Sequence, residues 1–274
     1  MSAHISTGSI LGLEAFRVDV EADLSSGLPN FFIVGLPDAA IQEARERIKS
    51  ALRHAGLELP RRHVTINLAP AHLKKVGTLY DLPIALAILQ SDGTLPESFP
   101  NDVLIAGELA LDGRVRPIRG ALSLALLAQK EGVRAVIVPE ENASEAALAE
   151  NVCVYAVKHL HDLLKHIRGV TELPIVTRTD AQKSHLQDTL HPYDFSAIRG
   201  QEQARRALEI AAAGGHNILM QGPPGSGKTL LARSFPTILP TLSRSETVET
   251  TRIHSVAGTL PAEGFMQVRP FRAP

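Results

Sequence analysis

Residues 222–229 read Gly222-Pro223-Pro224-Gly225-Ser226-Gly227-Lys228-Thr229 and match the pattern G-x-x-x-x-G-K-[ST] at every fixed position. Glycine suits a loop whose main chain must turn sharply and bring consecutive N–H groups close to a polyphosphate. In such a loop Lys228 would neutralise the β- and γ-phosphates, and the Thr229 hydroxyl would ligate Mg²⁺. The segment therefore predicts a phosphate-binding loop for a nucleoside triphosphate. The alternative is an ordinary Gly-Pro turn.

The sequence around this loop has the order strand, loop, helix that the motif requires. Residues 217–220 form a short apolar run that predicts a buried strand, and residues 230–235 predict the helix that follows the loop. A helix at residues 202–213 and a Gly214-Gly215 turn precede the strand. These elements favour a P-loop α/β domain.

The composition is that of a globular protein with an aliphatic core. The chain has 274 residues, of which 44% are hydrophobic and 21% charged, with one Cys and no Trp. No apolar run reaches the roughly 20 residues of a membrane span, no secretory signal is visible, and one cysteine excludes an internal disulfide framework. These features predict a cytoplasmic protein without membrane contact. The net charge of −1 gives no overall argument for nucleic acid binding.

Residues 1–172 predict one mixed α/β domain. Apolar periodicity indicates strands at 16–20, 31–34, 64–68, 134–138 and 152–157, and helices at 37–55, 82–90, 120–131, 143–150 and 159–168. Asp112-Gly113 indicates a hairpin, and Asp81 is expected to cap the helix at 82–90. Residues 173–192 are largely polar and aperiodic and predict a linker. The second domain would then occupy residues 193–274.

Six further segments are distinctive: GLPD at 35–38, NLAPA at 67–71, YDLPIAL at 80–86, IRGQ at 198–201, IHSVAG at 253–258 and RPFRAP at 269–274. In these segments the chain resembles the YifB/ComM family of magnesium-chelatase-like AAA+ ATPases. The resemblance covers essentially the whole chain, and several of these segments are specific to the family.

This resemblance implies the fold class and the ligands. It indicates an α/β domain at residues 1–172 that resembles Lon peptidase, followed by the first part of a P-loop AAA+ α/β domain of the magnesium chelatase type. It implies ATP and Mg²⁺ as ligands, with Ile198 and Gly200 helping to seat the adenine. Complete members are expected to form hexameric rings, and ComM is associated with ATP-driven branch migration of DNA.

The acidic strand that an AAA+ ATPase needs after its phosphate loop is not found in the remaining sequence. Hydrolysis requires acidic residues that hold Mg²⁺ and position water, and an arginine from a neighbouring subunit. Only 45 residues follow Thr229, and none is Asp. Residues 136–141, VIVPEE, lie in the other domain and have Pro139 before the acids. We therefore expect a truncated chain with weak ATP binding and negligible hydrolysis, or alternatively a non-enzymatic protein that binds DNA or a partner.

Peptidase chemistry is not expected from the Lon-like domain. Residues 107–120 resemble the segment that leads to the catalytic lysine of Lon, but Leu122 stands where that lysine should be. Residues 51–90 contain no Ser, so the nucleophile of a Ser–Lys dyad is missing as well. We assign no catalytic residue.

Other reactive side chains have structural interpretations. Cys153 lies in an alternating segment and predicts a buried strand thiol. Glu140 and Glu141 are expected at the start of a helix, where negative charge is favourable. Three histidines are expected on solvated helix faces, because their spacing matches no closed metal site: His159, His161 and His166.

A local excess of basic residues lies between positions 45 and 75. Arg45, Lys49 and Arg53 recur every four residues and therefore share one face of the predicted helix. Four further cations extend this set: Arg61, Arg62, Lys74 and Lys75. The set predicts salt-sensitive, sequence-independent contacts with DNA phosphates, and a solvated basic face is the alternative. Aromatic residues are sparse, which argues against stacking of single-stranded bases.

Overall fold

The computed structural model describes residues 3–96, 102–177, 193–261 and 264–271. The chain divides into a first unit, Met1–Ser184 with Thr251–Gly264, and a second unit, His185–Thr250 with Phe265–Pro274. Parallel and antiparallel strands both occur, so the protein is a mixed α/β protein as expected. Residues 178–192 of the predicted linker and the last three residues of RPFRAP lie outside the described residues.

The first unit contains a four-stranded sheet with the strand order β1–β2–β4–β3. Its strands are β1 (Ala3–Leu11), β2 (Glu14–Ser25), β3 (Asn30–Val34) and β4 (His63–Ala69). β2 pairs antiparallel with both β1 and β4, whereas β3 runs parallel to β4. The strands predicted at 16–20, 31–34 and 64–68 are therefore confirmed, and β1 is an additional strand.

A second sheet of the first unit has the order β10–β9–β8–β5. Its strands are β5 (Val103–Ile105), β8 (Ala135–Pro139), β9 (Cys153–Val157) and β10 (Ile175–Val176). The first three run parallel, and every residue of β5 and β8 is buried, as is usual for parallel strands covered on both faces. A short hairpin of β6 (Glu108–Leu109) and β7 (Val115–Arg116) flanks the predicted Asp112-Gly113 turn.

The described residues of the first unit include six complete helices. They are α1 (Ala39–Gln42), α2 (Ala44–His54), α3 (Asp81–Ser91), α4 (Ala121–Glu131), α5 (Glu140–Ala146) and α6 (Leu160–Ile167). The single helix predicted at 37–55 is interrupted at Glu43, and α5 begins and ends earlier than predicted. None of the described helices has the length and apolar character needed to cross a membrane.

The second unit is built from short helices around a small core. It contains α7 (Glu202–Gly214), α8 (Lys228–Ser234), the first half of α9 (Arg244–Ala257), and two 3₁₀ turns at Phe195–Ala197 and Phe235–Ile238. Its hydrophobic cluster contains the buried side chains of Phe195, Ile198, Leu208 and Leu231. This cluster is far smaller than the core of the first unit.

The strand predicted at residues 217–220 is wrong. The segment has an irregular backbone, and Leu219 is 93% exposed instead of buried. A strand is stable only when a neighbouring strand satisfies its hydrogen bonds and covers its faces. No strand pairs with this segment among the residues that the structure describes. The apolar pattern alone was therefore not sufficient to form a strand.

A buried ion pair joins α2 to α3. Asp81 does not cap α3 as predicted; it lies inside the first turn and is 1% exposed. Arg47 of α2 donates from Nε to Oδ2 of Asp81 at 2.6 Å and from a terminal guanidinium nitrogen to Oδ1 at 2.9 Å. The backbone N–H of Leu109 donates to Oδ2 at 3.2 Å. Burial raises the pKa of Asp81 to about 6, although Arg47 acts in the opposite direction.

We predict that Arg47→Met destabilises the first unit by about 3–5 kcal/mol, because it leaves a buried carboxylate without its partner. The folded pKa of Asp81 already lies above its ordinary value of 3.8. Loss of Arg47 raises this pKa further, so the folded variant holds its proton more tightly than the unfolded chain does. The stability that this bound proton contributes is lost as pH rises through the pKa of Asp81 in the folded state. The cost of the substitution should therefore be larger at about pH 8 than at about pH 5.

Urea unfolding followed by circular dichroism at both pH values measures this difference. Arg45→Met is the matched control, because Arg45 is exposed on the same helix and its removal should cost less than about 1 kcal/mol. A loss for Arg47→Met that is small, or that is the same at both pH values, would contradict the prediction.

Candidate functional site

The loop at residues 222–229 turns at two glycines with left-handed backbone conformations. Gly225 has φ of +80° and Gly227 has φ of +86°. A Cβ atom at either position would meet no atom within 4 Å, so the backbone conformation and not the available space favours glycine. Gly227 is also the N-cap of α8, which begins at Lys228. The predicted sequence of loop and helix is therefore present in the second unit.

The ammonium group of Lys228 lies against the loop. Its Nζ donates to the carbonyl oxygens of Gly222 at 2.8 Å and Pro223 at 2.7 Å, and lies 3.2 Å from Oγ of Ser226. Oγ of Ser226 in turn donates to the Pro223 carbonyl at 2.9 Å. A Cβ at Gly222 would lie 3.2 Å from this same Oγ, so a side chain there would crowd the loop. The loop thus forms a compact backbone turn closed by one cation.

The loop is open to solvent. Pro223, Pro224, Gly225 and Thr229 are exposed, whereas Ser226 and Lys228 are half-buried. Thr229 is the second residue of α8, directly after Lys228. An anion can therefore reach Lys228. Thr229, the next residue, lies on the same turn of the helix.

Gln201 follows the predicted adenine-seating residues Ile198 and Gly200 and contacts the loop at 222–229. Ile198 is 6% exposed and packs into the core, and Gly200 has φ of +66°. Gln201 also has a left-handed backbone, with φ of +53°, and its Nε2 donates to the Ser226 carbonyl at 3.4 Å. A non-glycine residue in this conformation is uncommon and is enriched at functional positions. Sequence analysis did not name Gln201 as a site residue, although it links the segment at 198–201 to the loop.

The first unit brings four of the predicted DNA-contacting residues to one groove of about 750 Å³. Arg45, Lys49 and Arg53 line it from one exposed face of α2, as predicted, and Arg61 lies with them. Arg45 is 3.9 Å from Glu46, and Arg61 is 3.9 Å from Glu58. Within the described parts of the chain, Lys49 and Arg53 form no ion pair. We call this feature the basic groove.

The other three predicted residues do not join the basic groove. Arg62 and Lys74 are exposed elsewhere. Lys75 is fully buried, and its Nζ donates to the Pro70 carbonyl. Burial lowers the pKa of this ammonium. The prediction that Lys75 contacts DNA is therefore wrong, because a buried ammonium held by a backbone carbonyl is not available to a phosphate.

Other candidate side chains have structural roles. Glu140 and Glu141 lie in the first turn of α5, as predicted. Cys153 lies on β9 and is half-buried. His166 is not solvated as predicted: its ring packs on Tyr155 at 5.1 Å, and its Nδ1 accepts from the Leu173 N–H. No group of three His, Cys, Asp or Glu among the described residues has an arrangement that could hold a metal ion.

Comparison with known proteins identifies the family. A family profile described as "Subunit ChlI of Mg-chelatase" matches residues 20–142, and one described as "Magnesium chelatase, subunit ChlI" matches residues 194–274. The protein YifB of Escherichia coli (strain K12) is 41% identical over 270 residues, which is 98% of this chain and 52% of YifB. The chain belongs to the YifB/ComM family.

Two further relatives extend this family comparison. Competence protein ComM of Haemophilus influenzae is 39% identical over 273 residues, which is 99% of this chain and 53% of ComM. The chain therefore spans about half the length of these YifB/ComM relatives. DNA repair protein RadA of Escherichia coli (strain K12) is 33% identical over 112 residues, which is 41% of this chain and 24% of RadA.

The packing of the helix that follows the loop can be tested by substitution of buried and exposed leucines in the second unit. Leu231 of α8 is 4% exposed, so Leu231→Ala should destabilise this unit by about 2–4 kcal/mol. Leu219 is 93% exposed, so Leu219→Ala should change stability by less than about 0.5 kcal/mol. Hydrogen exchange of the α8 amides measures both effects. Equal losses for the two variants would show that residues 217–220 are packed, as in the strand that the sequence predicted.

Proposed function

We propose that this protein binds ATP with Mg²⁺ through residues 222–229 and uses the nucleotide in work on DNA. The observation that carries the nucleotide part is the position of Lys228. Its ammonium is held at the loop by two backbone carbonyls and Oγ of Ser226, and the loop turns at Gly225 and Gly227, which have left-handed conformations. This arrangement matches the chemistry of a triphosphate site, in which one lysine and a turn of backbone N–H groups meet the phosphates.

The side chains of the loop have distinct roles in this proposal. Phosphate oxygens would replace the Gly222 and Pro223 carbonyls as partners of Lys228, and hydrogen bonds between ionised groups are about twice as strong as neutral ones. The Thr229 hydroxyl would hold Mg²⁺, which supplies charge neutralisation at the phosphates when it is bound. Gly225, Ser226 and Gly227 would offer backbone N–H groups.

The base would lie beside the segment at 198–201. Gln201 links this segment to the loop through the Ser226 carbonyl, so a ligand that fills the loop lies next to it. Because the Ile198 side chain is in the core, Ile198 and Gly200 would position the adenine through the backbone. Gln201 would then be a positioning residue between the two parts of the site.

The DNA part of the proposal is supported by the relatives. RadA is named as a DNA repair protein and ComM as a competence protein. The assignments of residues 1–172 to a Lon-like domain, of 173–192 to a linker and of 193–274 to the first part of an AAA+ domain belong to this proposal, as does a cytoplasmic location. A ring assembly is expected only of complete family members. Arg62 and Lys74, which are exposed, remain candidates for contact with DNA phosphates. The alternative is a non-enzymatic protein that binds DNA or a partner.

Lys228→Ala should weaken the binding of a non-hydrolysable ATP analogue by at least about tenfold, because a charge-assisted contact worth about 1.5–3 kcal/mol is lost. Thr229→Ala should leave binding without metal unchanged and remove its enhancement by Mg²⁺. Isothermal titration calorimetry with and without Mg²⁺ measures both. Lys130→Ala is the control, since Lys130 is exposed on α4 and far from residue 228 in sequence. Unchanged heats for Lys228→Ala would refute the nucleotide site.

The full chain should retain fluorescein-labelled DNA at low ionic strength, with an affinity that falls steeply as salt is added. The ATP analogue with Mg²⁺ should change this affinity by at least about fivefold, since coupled sites typically differ by this much or more. In Lys228→Ala the nucleotide effect should disappear while binding without nucleotide persists. Fluorescence anisotropy provides the measurement. If the chain shows no salt-sensitive retention of DNA, the proposed DNA binding is refuted, whereas the proposed nucleotide binding is not affected.

A further inference from the structure

The basic groove is lined by cations and by apolar residues. Helix α2 contributes Arg45, Lys49 and Arg53 in one row. The rest of the lining contains Arg61, Ser50, two acids, Glu46 and Glu58, and five apolar residues: Pro29, Leu57, Leu59, Pro60 and Leu111. The volume of about 750 Å³ lies within the range of pockets that bury a small ligand or a few side chains. A ligand that matches this lining presents both negative charge and apolar groups.

An extended peptide can meet both requirements. With a rise of 1.5 Å per residue, cations four residues apart on α2 are separated by about 6 Å along the helix axis. Alternate residues of an extended chain are separated by about 6.6 Å and point to the same side, while the residues between them point to the opposite side. A strand that alternates acidic and bulky apolar residues thus matches the cation row and the apolar lining together.

The cations and the apolar residues of the basic groove are both available to a partner. Lys49 and Arg53 are exposed and have no acidic partner within the described residues. The pairs that Arg45 and Arg61 form are long surface contacts, which are individually worth less than about 1 kcal/mol. Leu111 is 58% exposed, and Leu28, next to Pro29, is 88% exposed. Exposed apolar surface bordered by charge is typical of interaction sites.

Nucleic acid fits this lining less well. Among the residues that the structure describes, no aromatic side chain lines the basic groove, so bases would have no stacking platform. Phosphates gain nothing from the leucine and proline lining, and Glu46 and Glu58 lie among the lining residues, where they repel a polyanion. Acidic side chains on a peptide can be spaced to avoid these two glutamates, whereas a phosphate backbone has charge at every step.

We infer that the basic groove binds an extended segment of a partner protein in which acidic residues alternate with bulky apolar residues. Arg45, Lys49, Arg53 and Arg61 pair with the acids, and Leu57, Leu59 and Leu111 receive the apolar side chains. This inference is independent of the nucleotide site, because every residue involved lies in the first unit.

The probe is a short fluorescein-labelled peptide in which Asp and Glu alternate with Leu and Phe, titrated with the full chain. We expect saturable binding that weakens with salt. Two control peptides, one with the acids changed to Asn and Gln and one with the apolar residues changed to Ser, should each bind at least about tenfold more weakly, since each loses one of the two contact surfaces.

Variants of the chain test each side separately. The double variant Lys49→Glu with Arg53→Glu should weaken binding of the probe by at least about tenfold, and the milder Lys49→Gln with Arg53→Gln should act in the same direction. Leu111→Ser should weaken binding of the probe by about fivefold but leave binding of the Ser-containing peptide unchanged. Lys130→Glu is the charge-matched control and should bind normally. Circular dichroism confirms that each variant is folded.

Three results would overturn the inference. Absence of saturable binding is the first. The second is equal binding of the Ser-containing peptide, which would make the groove a simple polyanion site. The third is displacement of the probe by a single-stranded oligodeoxynucleotide that binds more tightly than the peptide and is insensitive to Leu111→Ser, which would assign the groove to nucleic acid.

Discussion

The ion pair between Arg47 and Asp81 is the constraint on which the first unit depends. Both side chains are taken largely out of water, and a charge in that position is tolerated only when its partner and its hydrogen bonds are present. The pair fixes the inner face of α2 against α3, a helix whose first nine residues are all buried. Residues 45, 49 and 53 lie on the other side of α2 as a consequence. The ion pair and the buried apolar residues of α2 (Ala44, Ile48, Ala51 and Leu52) together orient the helix so that its basic row is exposed.

The same helix shows what a sequence can and cannot predict about charge. The four-residue spacing of Arg45, Lys49 and Arg53 correctly predicted one exposed face, because helical periodicity is a local property. Neither the inward position of Arg47 nor the burial of Lys75 was predicted. A lysine can lay its aliphatic stem along an apolar surface and satisfy its ammonium with a carbonyl, and only the tertiary fold decides which of two adjacent lysines does so.

The sequence predicted a strand correctly where its local apolar pattern agrees with the burial and strand pairing in the folded protein. The strands at β4 and β8 were recognised because their alternating or continuous apolar runs are buried in sheets. β1, with its Ser and Thr residues, carried a weak pattern and was missed, although most of it is buried. The run at 217–220 carried a strong pattern but has no pairing strand among the described residues. Its failure shows that strand formation is a property of the pair of strands.

The pattern at residues 222–229 could be recognised from sequence because its glycines and lysine lie close together along the chain, whereas Gln201 was missed because its link to Ser226 joins residues 25 positions apart. Among the described residues, the hydrophobic cluster of the unit that holds this loop contains four buried apolar side chains. A ligand that binds only the folded state adds RT ln(1 + [L]/Kd) to stability, which is about 2.7 kcal/mol at a free concentration of 100 Kd. That contribution is comparable with the loss of one buried leucine. If the proposed nucleotide binds, its binding energy therefore becomes a substantial part of what keeps the second unit folded.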